Sequence, residues 1–143
     1  MNDLDHRFRQ QKQSGQKIAA LTAYDYPTAR IVDEAGIDFI LVGDSLGMVI
    51  LGYPDTTSVT LEDMIRHTGA VARGAKLAPV IADLPIGTYG SPAQAVASAR
   101  QLLAAGARGV KLEGGSALAP QIRALVDAGI PVLAHIGMLP QHV

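Results

Sequence analysis

Five short apolar runs, at residues 18–22, 39–42, 80–82, 109–112 and 132–135, alternate with four longer stretches of helical character. Runs without polar alternation suit strands covered on both faces, which is the situation inside a parallel sheet. The helix candidates cover 27–35, 61–73, 92–105 and 117–128, and their boundaries are well marked. Thr60-Leu61-Glu62-Asp63 places a hydroxyl N-cap three residues before a carboxylate, and Ser91-Pro92-Ala93-Gln94 reads as a capping box with proline at the first helical position. Three helices end on the same pair, Ala35-Gly36, Ala105-Gly106 and Ala128-Gly129, where a left-handed residue can close the last turn. A strand and a second glycine follow each exit (Gly43, Gly114 and Gly137), a weak internal repeat of one βα unit. Residues 1–16 precede the repeat and read as a polar segment. Strand-helix alternation of this kind implies parallel strands with right-handed crossovers. Two architectures fit, an open doubly wound sheet or a (β/α)8 barrel. A barrel usually takes ~250 residues, so a chain of 143 would hold about five of its eight strands. Periodicity alone does not choose between them.

Composition narrows the function classes. Twelve Lys+Arg stand against 13 Asp+Glu with no block of like charge, which argues against a nucleic-acid partner. No segment approaches the ~20 apolar residues needed to span a bilayer, and the mixed-charge opening MNDLDHRFRQQKQSG lacks the apolar stretch of a signal peptide. With no cysteine, disulfides, zinc thiolate sites and thiol nucleophiles are excluded. A cytoplasmic protein is expected.

The polar residues concentrate at strand ends. Asp44 follows Ile40-Leu41-Val42-Gly43, Asp83 follows Val80-Ile81-Ala82, Glu113 follows Val110-Lys111-Leu112, and the fifth run closes on His135. In parallel α/β folds ligands bind at the carboxyl ends of the strands. Each carboxylate taken alone reads as a helix or loop cap. Three at equivalent positions should not coexist without a cation. Hard oxygen donors and no sulfur make Mg²⁺ or Mn²⁺ the fitting ion. Lys111 lies two residues before Glu113, so both share one strand face and point inward if Leu112 faces the helices. Its partner is either an anionic substrate or a structural carboxylate. His135 reads as a substrate donor, a base, or a satisfied core histidine. His67, among Arg66 and Thr68 on a helix, reads as solvated, and His6 and His142 carry no signal.

Gly43-Asp44-Ser45-Leu46 raises a rival, because it spells the opening block of GDSL-type serine hydrolases, with Ser45 as nucleophile. That chemistry needs an orienting acid and a base, usually as D-x-x-H, and none follows residue 44.

The ordered blocks Thr22-Ala23-Tyr24-Asp25-Tyr26-Pro27-Thr28-Ala29, Val42-Gly43-Asp44-Ser45-Leu46-Gly47-Met48, Val59-Thr60-Leu61-Glu62-Asp63-Met64, Ala82-Asp83-Leu84-Pro85, Val110-Lys111-Leu112-Glu113-Gly114-Gly115 and Ala134-His135-Ile136-Gly137 resemble the ketopantoate hydroxymethyltransferase family. The similarity runs from about residue 5 to the last residue. It implies a (β/α)8 barrel of the phosphoenolpyruvate/pyruvate type, here partial after about five strands and forming a single unit over 1–143. It also implies transfer of a hydroxymethyl group from 5,10-methylenetetrahydrofolate to 3-methyl-2-oxobutanoate through a metal-stabilised enolate, giving ketopantoate for pantothenate and coenzyme A synthesis. Carried over by position, Asp44, Asp83 and Glu113 hold the metal, Mg²⁺ or Mn²⁺, while Asp44, Ser45, Asp83, Lys111 and His135 hold the keto acid. Homo-oligomers are implied for the full-length family. The family's general base is a glutamate beyond the fifth strand, and the sequence stops at Val143 before it. A second expectation therefore stands beside the first: a non-catalytic polypeptide, or one that pairs with a complementary piece. Phosphoenolpyruvate mutase and isocitrate lyase relatives share the general plan but not the Tyr24–Pro27 and Lys111–Gly115 blocks together.

Overall fold

The computed structural model describes residues 3–142, so Met1, Asn2 and Val143 of the expected 1–143 unit lie outside the described residues. The element order is α1 (Asp3–Gln13), β1 (Ala20–Thr22), α2 (Tyr26–Glu34), β2 (Phe39–Val42), α3 (Leu46–Val49), α4 (Leu61–Gly74), β3 (Val80–Asp83), α5 (Pro92–Ala104), β4 (Gly109–Glu113), α6 (Ala119–Asp127) and β5 (Val132–His135). All pairings are parallel, and the sheet runs β1-β2-β3-β4-β5 without reversal. A doubly wound sheet reverses its strand order at a switch point. An order that only advances is the winding of a (β/α) barrel, and the open-sheet alternative is excluded.

Helix ends follow the chemistry of the sequence. Thr60 caps α4 with both halves of a capping box, its hydroxyl taking the Asp63 N–H while Asp63 takes the Thr60 N–H. At α5 the box is displaced. Ser91 accepts from the Gln94 N–H, but the longer Gln94 side chain reaches past the cap to the Gly90 N–H. Gly106 closes α5 at φ 115°, and an added Cβ there would stand 2.5 Å from Ala72 Cβ, so both conformation and contact require glycine.

Three elements depart from expectation, one of them the four-residue α3, which falls in none of the helix candidates. The segment read as polar, 1–16, contains α1, whose apolar content is only Leu4 and Phe8. It is held mainly through one carboxylate: Asp38 accepts from Arg7 at 3.2 Å, Gln11 at 2.7 Å and the Ala19 N–H at 2.9 Å. Phe8 adds a tilted ring contact with Phe39, 5.7 Å between centroids. The first strand is shorter than 18–22, since only Ala20–Thr22 finds a partner in β2.

Alternation within the strands builds two faces. Ile40, Val42, Val80, Ala82, Val110 and Leu112 are buried in the layer shared with the helices. Against that layer α2 packs on α4 and α5 on α6. The opposite parity, with Leu41, Ile81, Asp83, Lys111, Glu113 and His135, forms the inner face, as expected for Lys111 and Glu113 once Leu112 faces the helices. β1 and β5 have one partner each, and all three residues of β1 are exposed. Among the described residues no helix is long and apolar enough to cross a membrane.

Candidate functional site

Strand register sets the site. Asp83 pairs with Lys111 across β3 and β4, and Glu113 pairs with His135 across β4 and β5. Asp83 and Glu113 are the last residues of their strands, while Asp44 stands two residues beyond β2. Gly43 makes the turn between β2 and Asp44 possible: a Cβ there would come 2.8 Å from Ser45 Oγ and 3.6 Å from Asp83 Oδ2. Through that gap the Asp44 N–H donates to Asp83 Oδ2 at 3.1 Å. Lys111 Nζ lies 3.0 Å from the same oxygen and 3.4 Å from Glu113 Oε1. The structure thus brings Asp44, Asp83, Lys111 and Glu113 into one group, with each carboxylate residue no more than 3% exposed.

Three carboxylates therefore share one ammonium in a dry environment. Burial pushes the Asp83 carboxyl up to about 7, and the neighbouring Asp44 charge adds to the shift against the pull of Lys111. Burial also raises Asp44, helped by Glu113 and opposed by Gln141 and Lys111. Desolvation would lower the Lys111 ammonium, but Asp83 and then Glu113 and Asp44 outweigh it and hold it above the ordinary lysine value.

Ser45 and His135 sit at the rim. Ser45 Oγ and Tyr24 Oη are 2.8 Å apart. His135 Nδ1 lies 3.5 Å from Glu113 Oε1, is buried, and has no hydrogen-bond partner, although its side chain as a whole is 35% exposed. His67 is not the solvated residue expected on α4. It is half-buried and its Nδ1 lies 2.6 Å from the Tyr24 carbonyl, to which it must donate. Residues 24 and 67 thus form a brace behind Ser45, with histidine on the backbone rather than on the serine hydroxyl.

One residue of the site escaped the sequence reading. Gln141, in the turn Pro140–His142 after β5, is 2% exposed. Its Nε2 donates to Asp44 Oδ2 at 2.6 Å and to the Leu84 carbonyl at 3.0 Å, and its backbone N–H donates to Glu113 Oε2 at 3.1 Å. Tyr89 donates its hydroxyl to Gln141 Oε1. The available signal was position alone: a polar residue in the loop after a strand, at the end where the carboxylates gather.

Among the described residues no three His, Asp or Glu side chains close into a ready coordination shell, and Lys111 Nζ is hydrogen-bonded to both Asp83 and Glu113. The donor set nonetheless suits a divalent cation. Asp83 Oδ1 is buried with no partner, the group carries more negative than positive charge, and every candidate ligand is a hard oxygen.

The ketopantoate hydroxymethyltransferase family matches residues 5–143. The 3-methyl-2-oxobutanoate hydroxymethyltransferase of Aeropyrum pernix is 62% identical over 125 residues, which are 87% of this chain and 46% of that protein. The chain spans about half the length of the curated relatives it matches. Among solved structures, a phosphonopyruvate hydrolase in complex with oxalate and Mg²⁺ superposes with a TM-score of 0.74 at 20% identity, over 92% of this chain and 51% of that one. A 2,3-dimethylmalate lyase of the PEP mutase/isocitrate lyase superfamily gives 0.67 at 19% identity, over 94% and 53%. At such identities these two bear on the fold, and they agree with the barrel winding of the sheet. The hydrolase reading of Gly43-Asp44-Ser45-Leu46 gives way to the match over 5–143.

Proposed function

The chain belongs to the ketopantoate hydroxymethyltransferase family, and on that premise we propose that it carries the keto-acid and metal portion of an enzyme that transfers a hydroxymethyl group from 5,10-methylenetetrahydrofolate to 3-methyl-2-oxobutanoate. The product is ketopantoate, an intermediate of pantothenate and coenzyme A synthesis; the reading places the reaction in the cytoplasm and the full-length protein in a homo-oligomer. The observation that carries this reading is the shared burial of Asp44, Asp83 and Glu113 around Lys111, with Asp83 Oδ1 left unpartnered.

Removing a proton beside a ketone places negative charge on the keto oxygen, and fixed positive charge near that oxygen lowers the barrier. Asp44, Asp83 and Glu113 would hold Mg²⁺ or Mn²⁺, which supplies Lewis-acid polarisation of a 2-oxo acid when bound. Lys111 neutralises the substrate's charge from the inner strand face. Its two carboxylate partners fix the ammonium, so little freedom remains to be lost when the anion arrives. Ser45, held by Tyr24, directs its hydroxyl to the keto acid, and His135 offers a ring nitrogen at the rim. One open edge on each of β1 and β5 favours a second reading, a non-catalytic polypeptide or one that pairs with a complementary piece.

Calorimetric titration with 3-methyl-2-oxobutanoate tests the main reading. Binding is expected to require Mg²⁺ and to vanish in Asp83→Ala. Binding that is indifferent to both the ion and Asp83 would overturn it. Ketopantoate formation with methylenetetrahydrofolate then separates the catalytic reading from the non-catalytic one.

A further inference from the structure

We propose that Gln141 is a positioning residue for the cation site, holding the Asp44 and Glu113 carboxylates in the orientation that a divalent ion needs. The inference rests on the metal reading given above.

Gln141 stands 97 positions from Asp44 in sequence, yet its Nε2 lies 2.6 Å from Asp44 Oδ2. The amide orientation is settled by its neighbours. Leu84 O and Asp44 Oδ2 only accept, so nitrogen must face them, and oxygen is left for the Tyr89 hydroxyl. Both N–H bonds and the carbonyl are thereby used within a residue that is 2% exposed. The backbone N–H is used as well, on Glu113 Oε2. A side chain so fully satisfied has one orientation, and it imposes that orientation on the groups it touches.

Two roles fit a carboxamide among metal-site carboxylates. It could occupy the ion's place, or it could hold the ligands from behind. An occupant would satisfy the oxygen that lacks a partner, Asp83 Oδ1, but Gln141 makes no recorded bond to Asp83. It also takes a single oxygen from each of Asp44 and Glu113. A neutral donor on one oxygen fixes a carboxylate plane without cancelling its charge, so the attraction for a cation survives. This is the role of hydrogen-bond partners behind metal ligands, whose removal typically costs ~10–100-fold in metal affinity.

The test is Mn²⁺ binding to the folded chain, followed by the electron paramagnetic resonance of the free aqua ion, with circular dichroism as the folding control. Gln141→Leu keeps the volume and removes the amide, and it is expected to weaken Mn²⁺ by about tenfold or more. The bound-ion spectrum should broaden as Asp44 loses its orientation, a change that a loss of stability alone does not produce. Tyr89→Phe frees Gln141 Oε1, gives up a long 3.4 Å contact with the Glu113 backbone carbonyl, and should weaken binding by about threefold. A parent that binds Mn²⁺ while Gln141→Leu binds equally or more tightly overturns the positioning role. A parent that binds no Mn²⁺ removes the metal reading and this inference with it. Should Gln141→Leu not fold, Tyr89→Phe decides, and unchanged affinity there overturns the proposal.

Discussion

Lys111 and Asp83 face each other across the β3–β4 register with Nζ and Oδ2 3.0 Å apart, their side chains 12% and 3% exposed. An ion pair that dry has given up most of its hydration, and its value depends on both partners being present. Here the lysine is also the counter-charge for Glu113 at 3.4 Å.

Lys111→Met keeps the stem and removes the charge. Breaking a buried pair typically costs ~3–5 kcal/mol, so the metal-free variant is expected to melt well below the parent. Mg²⁺ should restore much of that loss by supplying charge to the same carboxylates. Affinity for the keto acid should stay reduced by ~10–100-fold, the worth of a hydrogen bond to a charged group. Calorimetry and thermal melts with and without Mg²⁺ check both parts. A variant that binds the keto acid as tightly as the parent would reduce Lys111 to a structural ion pair.

Asp83→Ala separates metal binding from folding. A ligand at 100 times its dissociation constant stabilises the folded state by ~2.7 kcal/mol. Mg²⁺ in that excess is therefore expected to raise the melting temperature of the parent and to leave Asp83→Ala unmoved. An equal rise in both proteins would place the ion elsewhere.

Away from the site, Asp33 shows how a carboxylate can be structural. It is 4% exposed and accepts the backbone N–H groups of Lys76 at 2.9 Å, Leu77 at 3.1 Å and Ala78 at 2.7 Å. Burial by itself would raise its carboxyl, but the N–H groups of Ala78, Lys76 and Leu77 outweigh that and hold it below the ordinary value. A folded value below the unfolded one gives stability that is fully present above pH ~3.9 and lost as pH falls through the folded value. Asp33→Asn is expected to cost ~2 kcal/mol at pH 7. Denaturant melts should show that difference shrinking below pH 4.

Asp33 and Gln141 mark what could be read from the sequence. The inward placement of Lys111 and Glu113 follows from period-2 alternation in β4, a local feature, whereas barrel winding over an open sheet is fixed by the strand order, which periodicity does not carry. Thr60 and Asp63 announced their helix three residues at a time. Gln141 and Asp33 act across 97 and 43 to 45 positions, and no local pattern encodes such a pairing. α1 was hidden for a related reason, since its anchor is the polar cluster at Asp38 rather than an apolar stripe. His67 is hidden from the sequence because its partner is a backbone carbonyl, which every residue offers.

Tyr24→Phe tests the brace behind Ser45. It removes one hydroxyl and frees Ser45 Oγ to rotate, while the ring and the carbonyl that His67 engages stay in place. Keto-acid affinity is expected to fall by about fivefold, within the range of one neutral hydrogen bond, with the melting temperature nearly unchanged. An unaltered affinity would show that the Ser45 hydroxyl does not depend on Tyr24 for its orientation.

The two sheet edges should govern how the chain behaves alone. β1 and β5 each lack a second neighbour, and around them Ile18 is 40% exposed, Leu21 54%, Leu133 40% and Ile136 73%. Unpaired strands of that composition are templates for pairing with other chains, and apolar surface beside them adds to the drive. Residues 1–143 purified alone are expected to self-associate, seen by light scattering as dimers or larger species. Leu21→Lys places a charge on the β1 edge, at a position paired with the helix-facing Ile40, and should shift the population toward monomer. A general base typically contributes 10²–10⁴-fold in rate, so exchange of the C3 hydrogen of the keto acid in deuterated water reports whether residues 1–143 hold a proton acceptor. Exchange within about tenfold of a full-length relative would show that a proton acceptor lies among the described residues, with His135, its Nδ1 unpartnered, the first to substitute.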